Sequence, residues 1–270
     1  HNNGRLVSHY CGYEQPRVEK CPVCGSPYIG GFKAGTQQIE QVLHKNFPKA
    51  RILRMDYDTT RAKGSYEKIL SSFAAHAADI LVGTQMIVKG HDFPDVTLVG
   101  ALAADLSLNA ADYRCAERTF QLLTQAVGRS GRGTKPGEAI IQSYHPDHYS
   151  IRTAAEQDYE AFYQEEMAYR MLMDYPPAAH MLSVLVSGEN EELLEQGMDY
   201  LAKFVERIAS RYRIHVIGPA AVGKVNDIYR KVLYLKHRDE RILMDIKDKT
   251  EKYIELNSGF RRLYIQFDYT

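Results

Sequence analysis

From Gly35 onward the apolar positions switch repeatedly between two spacings. Gln37 to Phe47 carries Ile39, Val42, Leu43 and Phe47 at steps of three and four, the spacing of one helix face. Arg51 to Asp56 (RILRMD) reads as a short strand. Tyr66 to Ala78 reads as an amphipathic helix with Ile69, Leu70 and Phe73 on its apolar face. Asp79 to Thr84 (DILVGT) and Val96 to Asp105 (VTLVGALAAD) are near-continuous apolar runs, as expected of strands buried on both faces of a parallel sheet. Ala111 to Arg132 predicts a long helix with Phe120, Leu123 and Val127, and Glu138 to Tyr144 (EAIIQSY) another strand. Strands alternating with helices of this length predict an α/β domain built on a parallel sheet.

The stretch 151–174 predicts a charged helical connector that stops at Tyr175-Pro176-Pro177, since proline disfavours helix both at its own position and before it. Beyond it the pattern starts afresh. Met181 to Ser187 is a strand, Glu191 to Ser210 a helix, Ile214 to Ile217 and Lys231 to Lys236 strands, Asp239 to Asn257 a helix, and Arg262 to Phe267 a strand. The order β-α-β-β-α-β is that of a smaller α+β domain of ferredoxin-like type. The first 30 residues are polar and turn-rich, and bury no core of their own. Four segments result: 1–34, rich in cysteine; 35–150, the α/β domain; 151–177, the connector; and 178–270, the α+β domain.

A chain of 270 residues suits two domains better than one. Basic and acidic residues balance at 34 each, which excludes a uniformly basic surface but leaves room for local basic stripes. No apolar run approaches the roughly 20 residues that span a bilayer, and no secretory leader pattern is present, so a cytoplasmic protein is expected. The chain opens on His1-Asn2-Asn3-Gly4 without methionine, which reads as a piece of a longer protein. Three of its four cysteines, Cys11, Cys21 and Cys24, cluster near that end, a pattern closer to metal binding than to a disulfide framework. The fourth, Cys115, stands alone in a helical pattern.

Two segments carry candidate chemistry. In Leu122 to Gly133 (LLTQAVGRSGRG), helical geometry would put Gln125, Arg129 and Arg132 on one face. Arginines on one stripe, with Gly128 and Gly131 permitting close approach, suit a polyphosphate, because guanidinium forks match phosphate oxygens. A glycine-containing helix end with solvated arginines fits the same spacing. The second segment, Gly83 to Asp95 (GTQMIVKGHDFPD), follows the DILV strand, and ligands of parallel α/β sheets bind at strand carboxyl ends. Gly83, Thr84, Gln85, Lys89, Gly90, His91 and Asp92 make it unusually polar, with Lys89 suited to phosphate and Thr84 to nucleotide or DNA backbone. An ordinary surface loop is the alternative.

Taken together, GTQMIVKGHDF and AERTFQLLTQAVGRSGRG resemble the fifth and sixth motifs of superfamily 2 helicases. With Cys21-Pro22-Val23-Cys24-Gly25, Gly35-Thr36-Gln37-Gln38, RILRMDYDTT, KPGEAIIQSYHPDH and the YPP boundary, the chain is similar throughout to the replication-restart helicase family of primosomal protein N′ (PriA). The resemblance implies that about 35–150 is the second RecA-like helicase lobe and about 178–270 the family's C-terminal domain. It implies ATP-dependent 3′→5′ DNA unwinding and restart of stalled forks by primosome assembly. Arg129 and Arg132 match the family's arginine fingers, with Gln125, Gly128 and Asp92 close to nucleotide. Gly83, Thr84, Gln85, Lys89 and Gly90 match the loop that couples ATP to DNA. The implied cofactors are ATP, Mg²⁺ and zinc. The implied partners are forked and single-stranded DNA, single-stranded-DNA-binding protein and other primosome proteins, in the bacterial nucleoid and with no membrane.

The sequence also departs from what full catalysis requires. The one near-match to the P-loop pattern, Gly218-Pro219-Ala220-Ala221-Val222-Gly223-Lys224, ends in Val225, which has no hydroxyl for Mg²⁺, and it reads as a loop. No acidic metal-binding motif accompanies it, so these 270 residues are expected not to hydrolyse ATP alone. Members of the family bind zinc through paired CxxC sequences. Here Cys21-x-x-Cys24 is intact, whereas the preceding pair reads Ser8-His9-Tyr10-Cys11, with serine at a ligand position. Tetrahedral zinc needs four ligands, so in this remnant of the zinc-binding insertion an improvised set of Cys11, Cys21, Cys24 and His9 and reduced, metal-free cysteines both fit. In the C-terminal segment Arg230, Lys231 and Lys236 recur among Tyr229, Tyr234 and Tyr264. The pattern suits single-strand binding and an ordinary solvated sheet face alike. A non-catalytic nucleic-acid-binding scaffold of a primosome is the rival functional reading.

Overall fold

The computed structural model describes residues 35–88, 93–109, 112–212, 214, 216–225 and 227–270. It also describes residues 20 and 25 and the backbone of a short antiparallel ladder, β1 (Arg5–Val7) with β2 (Glu14–Pro16). The chain divides into two compact units, Ser26–Glu166 and the stretch from Met167 onward with His1–Gly25.

In the first unit α1 (Thr36–Asn46) starts from an extended Gly35 and ends with His44 and Lys45, of which the Lys45 cation favours a helix carboxyl end. Strand β3 (Ile52–Met55) is followed by α2 (Ser65–Ala74) and by β4 (Ile80–Gly83), which pairs with β3 in parallel, from Ile52 opposite Ile80 to Met55 opposite Gly83. Strand β5 (Leu98–Ala101), the short α3 (Asp105–Leu108), α4 (Cys115–Val127) and β6 (Glu138–Ile141) form a second parallel pair, Leu98 opposite Glu138. The parallel sheets are therefore small, two strands each. The expectation of a strand buried on both faces fails for β5, where Leu98 is 58% exposed, and its partner β6 is open on one side too, with Ile140 54% exposed. A strand with one neighbour alternates its side chains between a packed and an open face, and an apolar run does not say whether both are covered. The expected ten-residue strand also shrinks to Leu98–Ala101, because Ala103 turns left-handed (φ 53°) and Asp105 begins α3.

The predicted connector is two helices, α5 (Tyr149–Glu156) and α6 (Tyr159–Met173), broken where Gln157 adopts φ 56°. Asp158 restarts the helix by accepting the Ala161 amide at 2.9 Å. Ile151, Ala154 and Phe162 pack with Ala104, Phe120 and Leu123 in one core, and the Phe120 and Phe162 rings stack at 4.1 Å.

The second unit follows the predicted element order: β7 (His180–Gly188), α7 (Glu191–Ala209), β8 (Val216–Val225), β9 (Ile228–His237), α8 (Glu240–Leu256) and β10 (Tyr264–Tyr269). All neighbours in the sheet are antiparallel, in the order β10-β7-β9-β8. Alternate residues Leu182, Val184 and Val186 of β7, and Leu233 and Leu235 of β9, meet Leu194, Met198, Leu201 and Val205 of α7 and Leu243 and Ile246 of α8. Asn190 and Asp239 cap these helices by accepting the Leu193 and Arg241 amides at 2.8 and 3.0 Å. One expectation is corrected here. Gly218–Lys224 is strand rather than loop, paired with β9 through two register shifts, and its backbone serves the ladder instead of curling round a phosphate. No helix among the described residues is long and apolar enough to cross a membrane.

Candidate functional site

The carboxyl ends of β3 and β4 join sequence segments some distance apart. Asp56, next after β3, is buried and binds Thr36 at the start of α1, whose hydroxyl donates at 2.6 Å. The Thr59 amide donates to the same carboxylate at 2.9 Å, and the Thr60 hydroxyl to the Asp56 carbonyl at 2.6 Å. Arg54 lies 3.5 Å from Asp56 and 3.3 Å from Glu40. Burial pushes the Asp56 carboxyl up, but the bonds from Thr36 and Thr59 and the Arg54 charge outweigh it and hold the group below its ordinary range. The Gly35-Thr36-Gln37-Gln38 and MDYDTT segments thus become one anchored corner. Beside it Gly83 admits no side chain, since a Cβ there would lie 2.4 Å from the Met55 carbonyl oxygen. Thr84 and Gln85 then emerge, exposed, into a 3-10 turn, Gln85–Val88.

The arginine segment does not continue the helix, which corrects the shared-face expectation. Helix α4 ends at Val127, leaving the exposed Gln125 in its last turn, and Gly128 caps it by donating to the Thr124 carbonyl at 2.9 Å. Arg129 and Arg132 stand in the turn that follows, Arg129 half-buried and Arg132 exposed. Glycine decides this geometry. Gly131 has φ 71°, and a Cβ on it would lie 2.6 Å from the Gly137 amide nitrogen. A Cβ on Gly133 would lie 2.4 Å from the Pro94 carbonyl oxygen, and the Gly131 amide donates to Val96 at 3.0 Å. The Arg132 Nε donates to the Gly128 carbonyl at 2.6 Å, folding that side chain back over the turn. The two chemically promising segments are therefore packed backbone to backbone, through Pro94–Val96 and Gly131–Gly133.

Lys89, Gly90, His91 and Asp92 lie outside the described residues, as do Ser8, His9, Cys11, Cys21 and Cys24. Among the described residues no three His, Cys, Asp or Glu side chains group as a metal site, and Cys115 is a half-buried free thiol.

Asp105 is a residue that sequence reasoning passed over. It is buried and accepts from the Ser143 hydroxyl at 2.7 Å, the Tyr144 amide at 2.9 Å and the His145 amide at 3.2 Å. Burial again pushes this carboxyl up, and the backbone and hydroxyl donors again pull it below the ordinary range. Asp105 thereby ties the loop after β6 to the end of β5. A carboxylate closing the apolar run VTLVGALAAD was the available signal, because a charge at such a place needs donors.

Comparison with known families matches residues 31–134 to the helicase conserved C-terminal domain and residues 171–269 to the primosomal protein N C-terminal domain. The replication restart protein PriA of Bacillus subtilis is 44% identical over 266 residues, 98% of this chain and 33% of its own length. The proteins of the same name from Synechocystis and Haemophilus influenzae are 40% and 33% identical, over 86% and 95% of this chain and 28% and 35% of theirs. The chain thus spans about a third of the length of these relatives.

Proposed function

We propose that the chain belongs to the PriA replication-restart family, as its match to the two family domains and to the PriA proteins supports, and that it forms part of an ATP-dependent 3′→5′ DNA helicase. The whole protein recognises stalled forks and restarts replication by assembling a primosome. In this reading residues 35–150 are the second RecA-like lobe and 178–270 a C-terminal domain of ferredoxin-like type. The strand order β10-β7-β9-β8 supports the latter. The protein works in the cytoplasm, at the nucleoid, on forked and single-stranded DNA with single-stranded-DNA-binding protein and other primosome proteins.

The lobe contributes positive charge where negative charge develops. Phosphoryl transfer spreads charge over the γ-phosphate oxygens, and a guanidinium held there stabilises it more in the transition state than in the ground state. Arg129 and Arg132 carry that role, with Gln125 and Gly128 beside them; Gly83, Thr84, Gln85, Lys89, Gly90 and Asp92 form the loop that relays the nucleotide state to DNA. The charge of the turn suits a nucleotide triphosphate through the Arg129 and Arg132 guanidinium groups, while its amides from Gly128 to Gly131 already donate to the Thr124, Ala126, Val127 and Val96 carbonyls. ATP with Mg²⁺ supplies the reacting phosphoryl group, and its other contacts come from the first helicase lobe. Zinc belongs to the full-length protein, because Cys11, Cys21 and Cys24 make only three of the four ligands a tetrahedral site needs.

The observation that carries this reading is the packing of Gly131–Gly133 against Pro94–Val96, which couples the arginine turn to the segment following the DNA-facing loop. Its test is ATP turnover by the full-length protein, with and without forked DNA, for Arg129→Ala and Arg132→Ala. Loss of about 10³-fold or more with DNA binding retained is the expected result. Unchanged turnover in both variants sinks the arginine assignment and favours a scaffold that binds DNA without catalysis.

A further inference from the structure

Two loops of the first unit carry the same device, and the arginine chemistry uses neither. Asp56 and Asp105 are each 7% exposed, and each directs its oxygens to the donors of a loop beyond a strand's carboxyl end. Each fixed loop holds a tyrosine out in water. Tyr57, directly after the buried Met55 and Asp56, is 68% exposed, and Tyr144, whose own amide donates to Asp105, is 84% exposed. A solitary exposed aromatic is ordinary. Here the backbone beneath both rings is pinned by a buried carboxylate, so each ring is presented rather than left loose. Both follow strands of parallel pairs, the ends at which α/β sheets take ligands.

The surroundings of Tyr57 specify the ligand class. The Arg61 guanidinium lies 5.8 Å from its ring centroid, and Lys63 is exposed two residues on; of the two acids that flank Tyr57 in sequence, Asp58 is exposed and Asp56 is buried and bound to Thr36 and Thr59. Thr84 and Gln85 emerge from the neighbouring strand, where Gly83 is in register with Met55. An open π-face next to a guanidinium and a hydroxyl suits a single strand, whose base stacks while its phosphate meets the cation.

We propose that Tyr57 and Tyr144 are base-stacking contacts for single-stranded DNA, with Arg61 meeting the phosphate beside the base on Tyr57. The proposal rests on the DNA-coupling role given to this unit above, and adds to it residues outside the helicase motifs. The test is fluorescence anisotropy of this chain with a labelled oligothymidylate, for the wild type and for Tyr57→Ala, Tyr144→Ala, Tyr57→Phe, Tyr144→Phe and Arg61→Ala. Each alanine variant is expected to bind at least about fivefold more weakly. The phenylalanine variants are expected to bind like the wild type, because stacking does not need the hydroxyl. Arg61→Ala is expected to flatten the salt dependence by about 0.7 in log–log slope. Circular dichroism is expected not to change, since both rings lie outside the core. Wild-type affinity in both alanine variants overturns the proposal alone, as does equal weakening in the phenylalanine pair. A wild type that binds no oligonucleotide overturns it together with the DNA-coupling reading.

Discussion

Replacing Asp105 by asparagine removes one acceptor and changes little else. The carboxylate offers Oδ1 to the Ser143 hydroxyl and the His145 amide, and Oδ2 to the Tyr144 amide. Asparagine has one acceptor oxygen and one NH₂ group, so in either orientation at least one loop donor faces another donor. Leaving a buried donor unmet costs about 1–3 kcal/mol, and the bonds that remain lose their charge assistance. About 2 kcal/mol is the reasonable centre, which is roughly a thirtyfold change in a local opening equilibrium. Hydrogen exchange at the Tyr144 and His145 amides reads this directly, and Asp105→Asn is expected to speed both by about that factor at neutral pH. The pH dependence has a definite sign. Donors hold the folded carboxyl below its ordinary value. Its stabilisation is therefore full above the unfolded-state value of about 3.9 and is lost as pH falls through the folded value. The stability gap between wild type and variant should then be largest near neutrality and narrow in acid, where a protonated Asp105, like asparagine, is uncharged and presents a donor at one of its two positions. Unchanged exchange at both amides in Asp105→Asn would refute the claim that this carboxylate holds the loop.

Two further substitutions test the packing behind the site. Gly133→Ala forces a Cβ toward the Pro94 carbonyl oxygen. It is expected to destabilise the unit by about 1–3 kcal/mol in urea unfolding and to slow ATP turnover of the full-length protein without touching either arginine. Normal stability and turnover would dissociate the arginine turn from the 94–96 segment. Phe120→Ala removes a ring stacked on Phe162 in the core shared by α4, α5 and α6. A loss of about 3–5 kcal/mol is expected in the same assay, and a loss under about 1 kcal/mol would show that α6 does not depend on that contact.

Much of this protein is legible from spacing alone. The second unit is the clearest case: Leu182, Val184 and Val186 alternate while Leu194, Met198, Leu201 and Val205 recur at helical steps, and both patterns survive because one sheet face packs on two helices. The segments around Thr84 and Arg129 stood out in the sequence as candidates for chemistry, since polar groups and glycines concentrated between apolar runs need a reason.

Tertiary structure decided the rest. The helix carrying Gln125 stops at Val127 and the arginines leave it, because Gly131 and Gly133 fit against Gly137 and Pro94, contacts that no local pattern announces. Val96–Asp105 reads as one long strand but ends at Ala101, where Ala103 turns and Asp105 collects donors from residues about forty positions away. Gly218–Lys224, by composition a loop, is drawn into the sheet by its pairing with β9. Local sequence determined the periodicity and the chemical inventory, which depend on neighbours within a turn or a strand. Where a helix stops, which face is covered and which aspartate anchors a loop depend on backbone approaches between distant segments, and only the folded chain brings those together.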